Sequence, residues 1–85
     1  MRTLIEFYSE KCTPCKVMMP VVSEAAEKHF LPLRKVDINK EPKEAQLYNV
    51  KSVPTLIMLN GDSEVKRLIG AVSRAELERF FVENP

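Results

Sequence analysis

Cys12 and Cys15, in the stretch "EFYSEKCTPCK", are the only two cysteines of the chain. Two intervening residues allow three chemistries: half of a metal site, a structural disulfide, or a dithiol that opens and closes. A structural zinc takes four ligands, and the single histidine, His29, lies far down the following segment. A cluster shared between two chains has no positive sign in the sequence. A permanent bridge across two residues closes a very small loop, which gains little from cross-linking. The redox reading fits the position. The pair follows a short apolar stretch and stands where a helix should begin, and a helix N-terminus offers unpaired N–H groups and the positive end of its dipole. A thiolate is stabilised there, and Lys11 and Lys16 add positive charge on either side. Cys12 then reads as the attacking nucleophile, with Cys15, one turn further and more buried, as the resolving thiol. The plainer alternative is two core thiols without reactivity.

The elements that must hold this pair are short. Leu4, Ile5, Phe7 and Tyr8 in "TLIEFY" are apolar on both faces, which predicts a central strand over residues 3–8, covered on both sides. Val17, Met18, Val21, Val22, Ala25 and Ala26 recur at helical spacing and predict a helix from Cys12 to His29, kinked at Pro20. "LPLRKVDI" predicts a second strand near Leu33–Ile38. Pro42–Tyr48 reads as a short helix with proline in its first turn, stopped by Asn49 in a left-handed conformation. "PTLIML", Pro54–Leu59, reads as a third strand, and "NGD" at Asn60–Asp62 as a hairpin turn leading to a fourth strand, Glu64–Ile69. Ser73 and Glu76 make a capping box for a last helix, with Val72 and Leu77 as its staple. The order βαβαββα implies a parallel pair with a right-handed crossover, then an antiparallel hairpin. The expected fold is α/β, a mixed four-stranded sheet with helices on both faces.

Bulk properties set limits. Eighty-five residues suit one domain, 1–85. A chain this short buries only about 60–65% of its unfolded surface. Apolar residues make up 45% and charged residues 29%, as expected of a globular chain, and the net charge of +1 gives no support to nucleic-acid binding. No apolar run approaches the roughly 20 residues that span a bilayer. "MRTLIEFYSE" meets an acidic residue too early for a signal peptide. The expectation is a cytoplasmic monomer, in a compartment where lasting structural disulfides are rare.

"EFYSEKCTPCK…P" at residues 6–20, "VDINKEP" at 36–42, "YNVKSVPT" at 48–55, "NGD" at 60–62 and "IGAVS" at 69–73 together resemble the thioredoxin family, in its order and near its spacing. The likeness covers nearly the whole chain and starts at the family's central strand, so the usual N-terminal strand and helix look absent. It implies a minimal, glutaredoxin-sized thioredoxin-like fold in which Cys12 and Cys15 are the redox pair. Pro14 would hold the turn and favour the reducing form. Pro54 would be a cis-proline facing the disulfide, exposing the Val53 backbone to an extended substrate strand, and Gly70 would let a partner approach. Departures concern partners and potential. Lys11 stands where the family has tryptophan, Thr13-Pro14 replaces Gly-Pro, and Glu6 replaces an aspartate. Lys35 falls where the family has a lysine near that carboxylate, and a solvated strand lysine is the equal alternative.

Glu6 is the one charged residue inside the apolar strand. It either faces water from a one-sided strand or lies under the cysteines, where desolvation raises its pKa and fits it to take the proton from Cys15. Lys35 would oppose that rise. Lys11 would stabilise the Cys12 thiolate and favour partners with an acidic rim, or simply point to water. The resulting function is a dithiol–disulfide oxidoreductase that reduces protein disulfides without a metal or organic cofactor. The resemblance implies thioredoxin reductase as electron source and ribonucleotide reductase as one client. Two alternatives stand beside it: a glutaredoxin-like carrier recycled by glutathione, and a thioredoxin-fold binding module that uses its thiols little. Against the glutathione reading, "IGAVSRAE" has one glycine, Gly70, and Ser73, rather than paired glycines followed by an aspartate.

Overall fold

The computed structural model describes residues 1–83. Its elements run β1 (Arg2–Tyr8), α1 (Thr13–Lys28), β2 (Leu33–Asp37), α2 (Pro42–Leu47), β3 (Thr55–Asn60), β4 (Ser63–Ile69) and α3 (Arg74–Val82). The four strands form one sheet in the order β2-β1-β3-β4. β1 pairs in parallel with β2 and antiparallel with β3, and β3 pairs antiparallel with β4. The mixed sheet expected from the βαβαββα order is therefore present, with β1 inside it.

Side chains alternate across a strand, and β1 uses both faces. Leu4 belongs to the layer beneath α1 and α3, with Met18, Val22, Ala26, Leu56, Leu77, Phe80 and Phe81. Ile5 and Phe7 belong to the opposite layer, with Val36, Ile57 and Ala45 of α2. Buried Cys15, Met18, Val22 and Ala26 recur at three- and four-residue intervals, so a single stripe of α1 meets the sheet. Deleting a side chain such as Leu77, 3% exposed, would cost about 2–5 kcal/mol.

Helix ends explain where the sequence signals were sharp. Ser73 and Glu76 close the capping box of α3 as expected, and Val72 packs against the cluster that contains Leu77. At the end of α2, Asn49 takes φ 55. The Asn49 and Val50 amides donate to the Gln46 and Ala45 carbonyls, the paired bonds of a Schellman motif. α1 ends the same way: the Phe30 and Leu31 amides donate to the Glu27 and Ala26 carbonyls, with Phe30 at φ 56. A bulky aromatic in that left-handed position carries a Cβ penalty of about 1–2 kcal/mol. α1 continues through Pro20 as one helix. The 60–62 turn is carried by Gly61 at φ 63, and a register shift at Met58/Leu59 lies just before it in β3. Among the described residues, no helix is long and apolar enough to cross a membrane.

Candidate functional site: a cysteine pair at a helix N-cap

Cys12 is the N-cap residue of α1 rather than its first helical residue, with extended backbone at φ −93, ψ 105. Ser9 holds it there: the Cys12 amide donates to the Ser9 carbonyl at 3.0 Å, and the Lys11 amide donates to Ser9 Oγ at 3.3 Å. The Cys15 amide donates to Cys12 Sγ at 3.2 Å, the bond a capping side chain makes with the N3 amide. The sulfur thus receives an orphan N–H at the positive end of the α1 dipole, and the first turn holds no acidic residue to oppose it. Those groups favour a thiolate over a thiol. Cys12 and Cys15 are joined as a disulfide with Cα atoms 5.2 Å apart, within the usual range. Cys12 is half-buried, whereas Cys15 is fully buried at 0% exposure. A partner can therefore reach the first sulfur and not the second.

A second wall comes from the segment before β3. The Val53–Pro54 peptide bond is cis, and the Val53 carbonyl oxygen lies 3.9 Å from Cys12 Sγ. Thr55 Oγ1 donates to the Ser52 carbonyl at 2.8 Å and ties the segment together. The Gly70 amide donates to the Pro54 carbonyl at 2.8 Å, which brings the end of β4 beside the proline. Gly70 sits at φ 91, with nothing among the described residues within 4 Å of where a Cβ would stand. Its backbone needs glycine, and the space above it is open to an approaching chain. Thr13 and Pro14 are exposed on the first turn, and Lys11 is exposed beside Cys12.

Glu6 is 1% exposed, which removes the water-facing alternative. It shares the face of β1 with Leu4, under α1. Among the described residues, neither carboxylate oxygen has a hydrogen-bond partner. Desolvation by burial pushes its pKa up from 4.5 to about 7, while the charge of Lys35 pulls it down. Lys35 stands opposite Glu6 in the parallel ladder and is itself exposed, so it acts through space and not by a hydrogen bond. His29 is bonded elsewhere: its Nε2 lies 2.8 Å from Glu78 Oε1, at the end of α1 remote from the cysteines. That bond lowers the Glu78 pKa.

One exposed apolar side chain beside the site was not read from the sequence. Ile69, 59% exposed, precedes Gly70 and pairs in register with Thr55. Its signal was an isoleucine in the short strand "EVKRLI", directly before a glycine.

A mixed α/β sheet that places a Cys-x-x-Cys pair at the N-cap after an inner strand, opposite a cis-proline, defines a protein built for thiol–disulfide exchange. The chain belongs to the thioredoxin family: the family model described as Thioredoxin matches residues 1–83. A thioredoxin of Chlamydia trachomatis is 41% identical over 75 residues, covering 87% of this chain and 74% of that protein. A bifunctional thioredoxin reductase/thioredoxin of Mycobacterium leprae is 37% identical over 78 residues, covering 89% of this chain and 17% of that one. Among solved structures, a mutant thioredoxin from Halobacterium salinarum superposes with a TM-score of 0.87 at 29% identity, covering 94% of this chain and 71% of that chain. With its close cysteine pair, this chain is a thiol–disulfide oxidoreductase.

Proposed function

We propose that residues 1–85 act as one domain that reduces protein disulfides through Cys12, with Cys15 resolving the intermediate and Glu6 handling its proton. The observation that carries this reading is the unequal pair: Cys12 Sγ accepts a helix N–H at a reachable N-cap, and Cys15 is sealed beneath it. The Cys12 thiolate attacks one sulfur of a client disulfide. A Cys12–client bond forms, the client's own S–S bond breaks, and the other client sulfur leaves as a thiolate. Cys15 then gives its proton to the Glu6 carboxylate and attacks the Cys12 sulfur. The intramolecular disulfide closes, and the second client thiolate leaves. Two electrons pass to the client, whose thiolates take protons from water.

Desolvation supports Glu6 in this role, because a carboxyl with a pKa of about 7 can both accept and return a proton near neutrality. Lys35 keeps part of that carboxyl charged, and Lys11 stabilises the attacking thiolate. Val53 offers backbone to an extended client segment flanking the disulfide, with Thr13, Pro14, Pro54 and Gly70 forming the floor and rim of that contact. The fused Mycobacterium leprae relative supports thioredoxin reductase as the electron source. Ribonucleotide reductase fits as a client, and the cytoplasm fits as the place of action.

Insulin disulfide reduction tests this reading. Turnover with NADPH and thioredoxin reductase is the expected result. Turnover with glutathione and its reductase alone would replace the electron source, and no turnover with either would reduce the chain to a binding module.

A further inference from the structure

Resting on the oxidoreductase reading above, we infer that the redox pair is ringed by three unpaired lysines, Lys11, Lys16 and Lys51, that select client disulfides flanked by aspartate or glutamate. Lys11 precedes Cys12. Lys16 follows Cys15, and its amide donates to the Cys12 carbonyl at 3.2 Å, one helical turn from the nucleophile. Lys51 lies two residues before Val53, whose carbonyl oxygen is 3.9 Å from Cys12 Sγ. The three therefore come from the loop, the helix and the proline segment that meet at the sulfur. All three side chains are exposed, and none forms an ion pair among the described residues.

The surface acid next to Lys11 does not cancel them. Glu10 is held by Lys40, with Nζ 3.3 Å from Oε1. The rest of the molecule has the opposite sign: with the three lysines set aside, ten of the 13 Lys and Arg remain against 12 Asp and Glu. With Glu10 paired to Lys40, the three exposed lysines leave a positive surface where clients must dock. Such a field orients and attracts an acidic segment and repels a basic one, changing association rates by about 10-fold or more at low salt. The apolar centre inside the ring, half-buried Val53 and exposed Ile69, is left to contact the client backbone and its apolar residues.

Three disulfide-closed peptides would be compared, identical except that the residues flanking the cystine are Asp/Glu, Ser or Lys. Their single-turnover reduction by the dithiol protein is followed at about 0.01 M and about 1 M ionic strength. The expected order at low salt is acidic, neutral, basic, with about 10-fold between the extremes, collapsing at high salt. In Lys16→Gln/Lys51→Gln, which keeps Lys11 beside the thiolate, the acidic-to-basic ratio should fall toward one at low salt. Equal low-salt rates for all three peptides, or full discrimination by the double variant, would overturn the selective ring while leaving the oxidoreductase intact. No reduction even of the neutral peptide would overturn both.

Discussion

Replacing Glu6 by glutamine separates a redox role from a structural one. The carboxyl is 1% exposed and unpartnered, with its pKa raised from 4.5 to about 7 by desolvation. Below pH 4.5 the group is protonated in both folded and unfolded chains and costs nothing through ionisation. Between 4.5 and about 7 the unfolded chain releases the proton while the folded one retains it, so stability falls as pH rises. Above pH 7 the full penalty is present, about 3 kcal/mol from that displacement. Glutamine does not titrate, but its buried amide costs about 1–3 kcal/mol without partners. Urea denaturation of the oxidised proteins should therefore show the variant gaining about 3 kcal/mol on the native protein between pH 4 and pH 8. It should be at least as stable at pH 8. The same substitution should slow resolution of the mixed disulfide in single-turnover kinetics by about 100-fold, the lower end of what a positioned proton acceptor contributes. Parallel stability curves across this range would refute the raised pKa. Unchanged resolution with lowered stability would leave Glu6 a structural residue.

Other outcomes follow from the same geometry. In the reduced protein, brief alkylation near neutral pH followed by peptide mass spectrometry should label Cys12 well ahead of Cys15, which is 0% exposed; equal labelling would reverse their roles. Phe30→Gly should raise stability by about 1 kcal/mol in chemical denaturation, relieving the side chain at φ 56, which is 92% exposed and gives up little packing. Gly70→Ala should lower stability by about 1–2 kcal/mol because of its φ of 91, although a Cβ there would meet nothing.

Local chemistry was legible wherever one residue decides one geometry. Ser73 and Glu76 satisfy each other's backbone donors, and Asn49 tolerates the left-handed position that ends α2. The cysteine pair announced its helix, though Cys12 proved to be the cap and not the first turn. Phe30 was not legible, because nothing in an aromatic residue signals positive φ; the Schellman bonds around it impose the conformation. The pairing of β1 with β3 depends on contacts more than 45 residues apart, such as Ile5 with Ile57, so local patterning could supply the hairpin but not the strand order. Glu6 stood out as a charge in an apolar strand. The resemblance placed Lys35 near that carboxyl, but its station opposite Glu6 in the parallel ladder, and the absence of a hydrogen bond to the buried carboxyl among the described residues, came only from the fold.

In the proposed reaction, Cys12 makes the bond to the client and Cys15 breaks it. Cys15→Ser and Cys12→Ser proteins, each incubated with a disulfide-closed peptide and digested without reductant, test it by mass spectrometry of the linked fragments. The expected result is a stable peptide adduct on Cys12 in Cys15→Ser and little or none in Cys12→Ser. An adduct on Cys15 in Cys12→Ser, with none on Cys12 in Cys15→Ser, would contradict it.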